Sequence, residues 1–201
     1  MHSLTIGTAR GPARVDIDTP EAAPVSLLVL GHGAGGGVDA PDLVALRDAA
    51  REARVTVARV TQPYRMAGRR APAPAGHLDE AFTEVVRHLR AEHPGPLLLG
   101  GRSSGSRVAC RTALALDAAA IVALAFPLHP PGKPEKSRAP ELATGLPTLV
   151  INGDRDAFGV PEAGGTVEVL VRPGETHDLK RDPPGIAAAV VGWLRGRGWA
   201  E

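Results

Sequence analysis

Pro96-Leu97-Leu98-Leu99-Gly100-Gly101-Arg102-Ser103-Ser104-Gly105 decides how this chain is read. The apolar run 96–99 has the length and composition of a buried strand, and a helical stretch follows Gly105, so Gly101-Arg102-Ser103-Ser104-Gly105 falls at a strand-to-helix turn. Serine centred in G-x-S-x-G at such a turn predicts a nucleophile elbow. The small residues let the backbone turn sharply, which holds the Ser103 hydroxyl up at the carboxyl end of the strand. In a chain with 24 glycines the bare pattern says little, and its weight comes from what surrounds it.

Runs in the same style recur on both sides. Residues 25–30, 54–60, 120–125, 148–151 and 167–171 are short and apolar with little internal alternation, which predicts strands buried on both faces. Between them Leu43, Leu46, Ala49 and Ala50 share one helical face, behind a start signal of Asp39, Pro41 and Asp42. Leu78, Ala81, Phe82, Val85, Val86 and Leu89 form a stronger stripe, and Ile186, Val190, Trp193 and Leu194 repeat the pattern near the carboxyl end. Strands alternating with helices of this length imply right-handed crossovers and parallel pairing. The fold class is therefore α/β, a mainly parallel open sheet with helices on both faces. Stretches 4–6 and 13–17 are expected to add one or two antiparallel edge strands.

Two irregular stretches follow strands and so lie at the carboxyl edge of the sheet, where open α/β sheets bind ligands. Residues 61–76 hold Pro63, Pro72 and Pro74; residues 126–147 hold Pro127, Pro130, Pro131, Pro134 and Pro140. The second is too short and too broken for a multi-helix cap, so these two loops are expected to wall a shallow pocket.

Length and composition narrow the function. With 201 residues the chain reads as a single domain, 1–201. A net charge of +1 and an aromatic content of 3% exclude the basic, aromatic-bearing surface of a nucleic-acid binder, and Arg65, Arg69 and Arg70 read as a solvated loop edge. Cys110 is the single cysteine, which rules out an intrachain disulfide and a C-x-x-C site. No leader pattern and no continuous apolar span is found, so the sequence predicts a soluble cytoplasmic protein without a membrane partner. Its oligomeric state is left open.

A serine hydroxyl needs a neighbouring base, and that base needs a third group to fix its tautomer. On a scaffold with this elbow the chain order is Ser, then Asp or Glu, then His. His177, in Arg172-Pro173-Gly174-Glu175-Thr176-His177, is the only histidine after the last clear strand. The penultimate strand runs into Asn152-Gly153-Asp154-Arg155-Asp156. Either aspartate fits the order; Asp156 is favoured because a residue a few positions past the strand can swing towards the next loop, whereas Asp154 more naturally caps the turn. Gly31-His32-Gly33-Ala34-Gly35-Gly36-Gly37 brings main-chain N–H groups close to a bound atom, so Ala34 and Ser104 are the expected oxyanion donors. Gly33, Tyr64, Arg102 and His129 are expected around the substrate, with a structural role for His129 and a structural carboxylate for Arg102 equally open. No metal-ligand spacing such as H-E-x-x-H is present, and no cofactor is expected.

The same glycines satisfy G-x-G-x-x-G as Gly31, Gly33 and Gly36, which keeps an NAD(P)-binding domain as an alternative. Against it, the helix start at Asp39-Ala40-Pro41 lies beyond the glycines, and the next strand ends in Ala58-Arg59-Val60 without a ribose-binding acid. Arg59 would instead suit a 2′-phosphate.

Taken jointly, Gly31-His32-Gly33-Ala34-Gly35-Gly36, Pro63-Tyr64-Arg65, Gly100 to Ala109, Ala125-Phe126-Pro127-Leu128-His129-Pro130-Pro131-Gly132 and Asn152 to Asp156 resemble the small α/β-hydrolase-like domains of the KANL3/Tex30 type, related to the dienelactone hydrolases. The resemblance runs from about residue 27 to residue 177 and implies an α/β-hydrolase fold with little or no cap. It also supports Asp156, since related hydrolases carry the acid at the end of G-x-x-D, here Gly153 to Asp156. It implies a serine hydrolase acting on a small-molecule ester, thioester or related acyl substrate. Some proteins of this type look like components of larger assemblies, so a catalytically silent interaction module is the competing class.

Overall fold

The computed structural model describes residues 2–201. Eight strands form one sheet: β1 (His2–Thr8), β2 (Gly11–Asp18), β3 (Ser26–Gly31), β4 (Val55–Thr61), β5 (Leu97–Arg102), β6 (Ala120–Leu124), β7 (Thr148–Gly153) and β8 (Val167–Arg172). Their order is β1-β2-β4-β3-β5-β6-β7-β8. β1 pairs antiparallel with β2, and β2 antiparallel with β4; every later pairing is parallel. The expected edge strands are present as a full hairpin on one side of the sheet.

Strand periodicity explains the layers. Leu27, Val29, Leu97 and Leu99 contribute to the core on one face, whereas Leu28, Leu30 and Leu98 contribute to the other, because successive side chains point to opposite sides of the pleat. The first face is covered by α3 (Ala75–Glu92), whose Phe82, Val85 and Val86 are buried, and by α4 (Ser104–Thr112). α1 (Pro41–Glu52) and α5 (Pro183–Arg195) cover the second with Leu43, Leu46, Ile186 and Val190. α5 starts where Asp182 Oδ1 accepts the Gly185 N–H at 2.9 Å, with Pro183 at its first position.

Stretch 61–76 is less irregular than its prolines suggest. Pro63, pre-set for helical φ, opens a one-turn helix, α2 (Pro63–Met66), and α3 already begins at Ala75. Between β6 and β7 the described chain forms only a 3₁₀ turn, Ala139–Leu142, and no helical cap.

This order places the loops that follow β3, β5, β7 and β8 along one edge. β3 and β5 are direct neighbours, so the glycine loop and the serine turn leave the sheet side by side.

Candidate active site

Ser103 joins β5 to α4 with φ 53° and ψ −113°, a conformation that L residues rarely adopt and that costs roughly 1–3 kcal/mol. The surroundings enforce it. A Cβ on Gly105 would lie 2.2 Å from the Gly31 carbonyl oxygen, and one on Gly101 would lie 2.5 Å from the same atom. Both glycines of G-x-S-x-G are thus required by the close approach of α4 to the end of β3. The Ser103 N–H is anchored to Leu124 O at 2.9 Å.

On that turn the Ser103 hydroxyl lies 2.9 Å from His177 Nε2, and His177 Nδ1 lies 2.8 Å from Asp156 Oδ2. With a carboxylate accepting from Nδ1–H, Nε2 is the acceptor turned to the serine. The Asp156 side chain is fully buried, and its other oxygen accepts the Phe158 N–H at 2.8 Å. The Phe158 ring lies against the imidazole, with centroids 4.2 Å apart. Asp154 plays a different part: its Oδ1 accepts the Gly174 N–H at 2.7 Å, tying the β7 turn to the loop after β8.

Gly33, Ala34, Pro41, Ser103, Phe158 and His177 line an open cleft of about 590 Å³. A Cβ on Gly33 would lie 3.6 Å from that of Ser103, and Ala34 follows it along the cleft wall; Ser104 opens α4, whose first main-chain N–H groups lack intrahelical acceptors and form the positive end of the helix dipole. The loop carrying Ala34 is held from behind. His32 Nδ1 bonds to Gly33 O at 2.8 Å, while His32 Nε2 accepts the Gln62 N–H at 3.1 Å, an arrangement that requires a neutral ring protonated on Nδ1.

Burial lowers the His32 pKa below its ordinary 6.5, with the bond to Gly33 opposing. The folded protein binds this proton less readily than the unfolded chain, so the stability His32 contributes is complete above about pH 6.5 and is lost as pH falls from there. Urea titrations from about pH 7.5 to about pH 5 are expected to show wild-type stability converging on that of a His32→Gln variant. Parallel profiles would show that the imidazole is not held neutral.

Several expectations need correction. Tyr64 does not line the cleft: α2 turns it inward, it is buried, and its hydroxyl donates to Ala34 O at 2.7 Å, bracing the glycine loop. His129 is also elsewhere; its Nδ1 bonds to Pro130 O at 2.9 Å and its N–H donates to Phe158 O at 3.0 Å, so it supports the Phe158 turn. The cleft is walled by the glycine loop, Phe158 and residues 177–180, not by stretches 61–76 and 126–147. Stretch 61–76 braces the glycine loop through Tyr64, and stretch 126–147 is pinned to α4, where Arg107 and Arg111 donate to Glu141.

Arg102 does line the cleft, and it is also tied to a structural carboxylate. Its Nε donates to Asp42 Oδ2 at 2.8 Å and its Nη2 to His177 O at 2.9 Å. Asp42 is fully buried; desolvation raises its pKa, with the Arg102 charge and hydrogen bond opposing. Asp39 and Asp178 face the same cleft as Arg102 and Lys180, so acidic and basic groups balance there.

The dinucleotide alternative loses its remaining supports. Helix α1 starts at Pro41, four residues past Gly37, and Arg59 is buried, donating to Val38 O at 2.9 Å and to Asp18 at 3.2 Å. It is not presented to a ribose phosphate. Among the described residues no cluster of three or more His, Cys, Asp or Glu is placed to hold a metal ion, and no helix is long and apolar enough to cross a membrane.

Sequence reasoning missed Asn152, Phe158 and the buried role of Asp42. Asn152 and Phe158 flank the predicted acid within one short stretch, and that proximity was the available signal.

A fold and turn of this kind define a class, and comparison with known proteins agrees. Residues 24–180 match the family described as alpha/beta hydrolase domain, and the chain belongs to that family. Among solved structures it is similar to XC6422 from Xanthomonas campestris, described as an α/β serine hydrolase without lid, with 23% identity, 98% of this chain and 94% of that one covered, and a TM-score of 0.79. A serine hydrolase homologue from Coxiella burnetii is 18% identical with a TM-score of 0.78, covering 96% of this chain and 97% of that one. Est1E from Butyrivibrio proteoclasticus is 16% identical with a TM-score of 0.77, covering 98% and 99%. No curated protein sequence matches.

Proposed function

We propose that this protein is a serine hydrolase that cleaves a small ester, thioester or related acyl substrate through an acyl-enzyme. The observation that carries the reading is the unbroken chain of hydrogen bonds from Ser103 through His177 to Asp156. His177 Nε2 takes the Ser103 proton as Oγ attacks the carbonyl carbon, and Asp156 holds the ring in the tautomer that leaves Nε2 free. The N–H groups of Ala34 and Ser104 receive the oxyanion, and His177 then returns the proton to the departing alcohol or thiol. Water, activated by the same imidazole, releases the acid and restores Ser103. This sequence of steps uses only side chains, main-chain amides and water.

A scaffold kept only for binding has no use for the strained serine or for a buried carboxylate aimed at a histidine. Their joint retention supports the enzyme over the silent interaction module. The matched motifs support a place near the KANL3/Tex30 type within the family, and we read the protein as one domain acting in the cytoplasm on a small molecule.

The open cleft bears on substrate size. Among the described residues no helical cap covers it, so the far end of a long acyl chain remains in water, and each methylene left there forgoes about 0.8 kcal/mol. The structure therefore leads us to expect acetyl to butyryl esters to be preferred over dodecanoyl esters. A p-nitrophenyl ester series below micelle formation tests this: kcat/KM that climbs steadily with chain length would refute the open cleft and demand an apolar channel.

A further inference from the structure

Asn152 is the penultimate residue of β7, with a side chain closed off from solvent. Its Oδ1 accepts the Phe126 N–H at 2.9 Å and its Nδ2 donates to Phe126 O at 2.9 Å, which locks the turn after β6 against β7. Those two bonds use the amide oxygen and one of its two protons. The other proton is shared between Gly159 O at 3.1 Å and Asp156 Oδ2 at 3.2 Å. Of the acceptors facing Nδ2 only the last is charged, and a charged acceptor draws the stronger bond.

Asp156 is thereby held at both oxygens. Phe158 N–H fixes Oδ1, while Oδ2 receives Asn152 on one side and His177 Nδ1 on the other. A carboxylate free to rotate about its last bond would spend part of its time off the line to Nδ1. Closing the turn after β6 needs only the Phe126 pair; the contact with the acid goes beyond it.

We propose that Asn152 is a positioning residue for the hydrolysis described above: by donating to Asp156 Oδ2 it keeps that oxygen aligned on His177 and so sets the efficiency of the base. It touches neither substrate nor the reacting atoms and acts through Asp156 alone. The inference rests on the serine-hydrolase reading.

The test uses the full chain and a short p-nitrophenyl ester, with Ser103→Ala as the inactive control. Asn152→Ala is expected to lower kcat about tenfold or more, as removal of a hydrogen bond to a charged group does, while KM stays nearly constant. Asn152→Asp has the same shape but sets a second carboxylate against Asp156. The titratable groups it meets are Asp156 directly and His177 one bond beyond. The ratio of wild-type kcat to that of this variant should be largest at high pH and narrow as pH falls, because the protonated carboxyl is again a donor. The ratio of wild type to Asn152→Ala should stay flat over the same range. Wild-type kcat in either variant, or an Asn152→Asp ratio that is independent of pH, would overturn the inference. If Asn152→Ala does not fold, the pH profile of Asn152→Asp decides alone. A wild type without esterase turnover would instead overturn the hydrolase reading, and this inference with it.

Discussion

Replacing Ser103 with alanine is expected to lower kcat by roughly five to six orders of magnitude and to abolish fluorophosphonate labelling. The size follows from chemistry: without Oγ no acyl-enzyme forms, and only binding and oxyanion donation remain. The neighbouring serines cannot take over. Ser104 opens α4, and the Ser106 hydroxyl is buried and committed to Ser103 O at 2.6 Å. The fold should persist, because alanine meets the same backbone geometry as serine and the glycines that enforce it are unchanged. Circular dichroism and thermal melting report on that point; a variant that is folded and still labelled would refute Ser103 as nucleophile.

His177→Ala should cost nearly as much, and Asp156→Asn roughly four orders of magnitude, since an amide at that position favours the wrong imidazole tautomer. Asp154→Asn is the informative comparison. Asp154 is exposed and accepts the Gly174 N–H, a bond that an asparagine carbonyl still accepts, so the change should cost little stability and leave turnover close to wild type. Steady-state kinetics of the two variants side by side separate the roles. A crippled Asp154→Asn with a near-normal Asp156→Asn would reverse the assignment of the acid.

Much of the scaffold was legible because the interior strands are short, apolar and buried on both faces. Residues 25–30, 96–99, 120–125 and 148–151 each fall on a strand of the parallel sheet. The one-turn helix α2 was hidden, since four residues give no periodicity to detect. For the site, Ser103, Asp156 and His177 were legible through chain order and local turn chemistry, and the structure brings their side chains within hydrogen-bonding distance. What surrounds them depends on packing between distant elements. The inward turn of Tyr64 depends on how α2 docks against the glycine loop, and the tie from Asp42 to Arg102 spans 60 positions. Read alone, Asp42 is an ordinary acidic residue in the first turn of a helix, a reading that gives no hint of burial.

Ser103, activated by His177, is expected to form a covalent intermediate. Its most direct measurement is treatment of the wild-type protein with a fluorophosphonate, followed by intact mass and tryptic mapping of residues 103–107, with fragmentation to separate Ser103 from Ser104 and Ser106. One adduct per chain is expected, on Ser103, with loss of that adduct in His177→Ala. No adduct on the folded wild type, or an adduct on another residue, would contradict it.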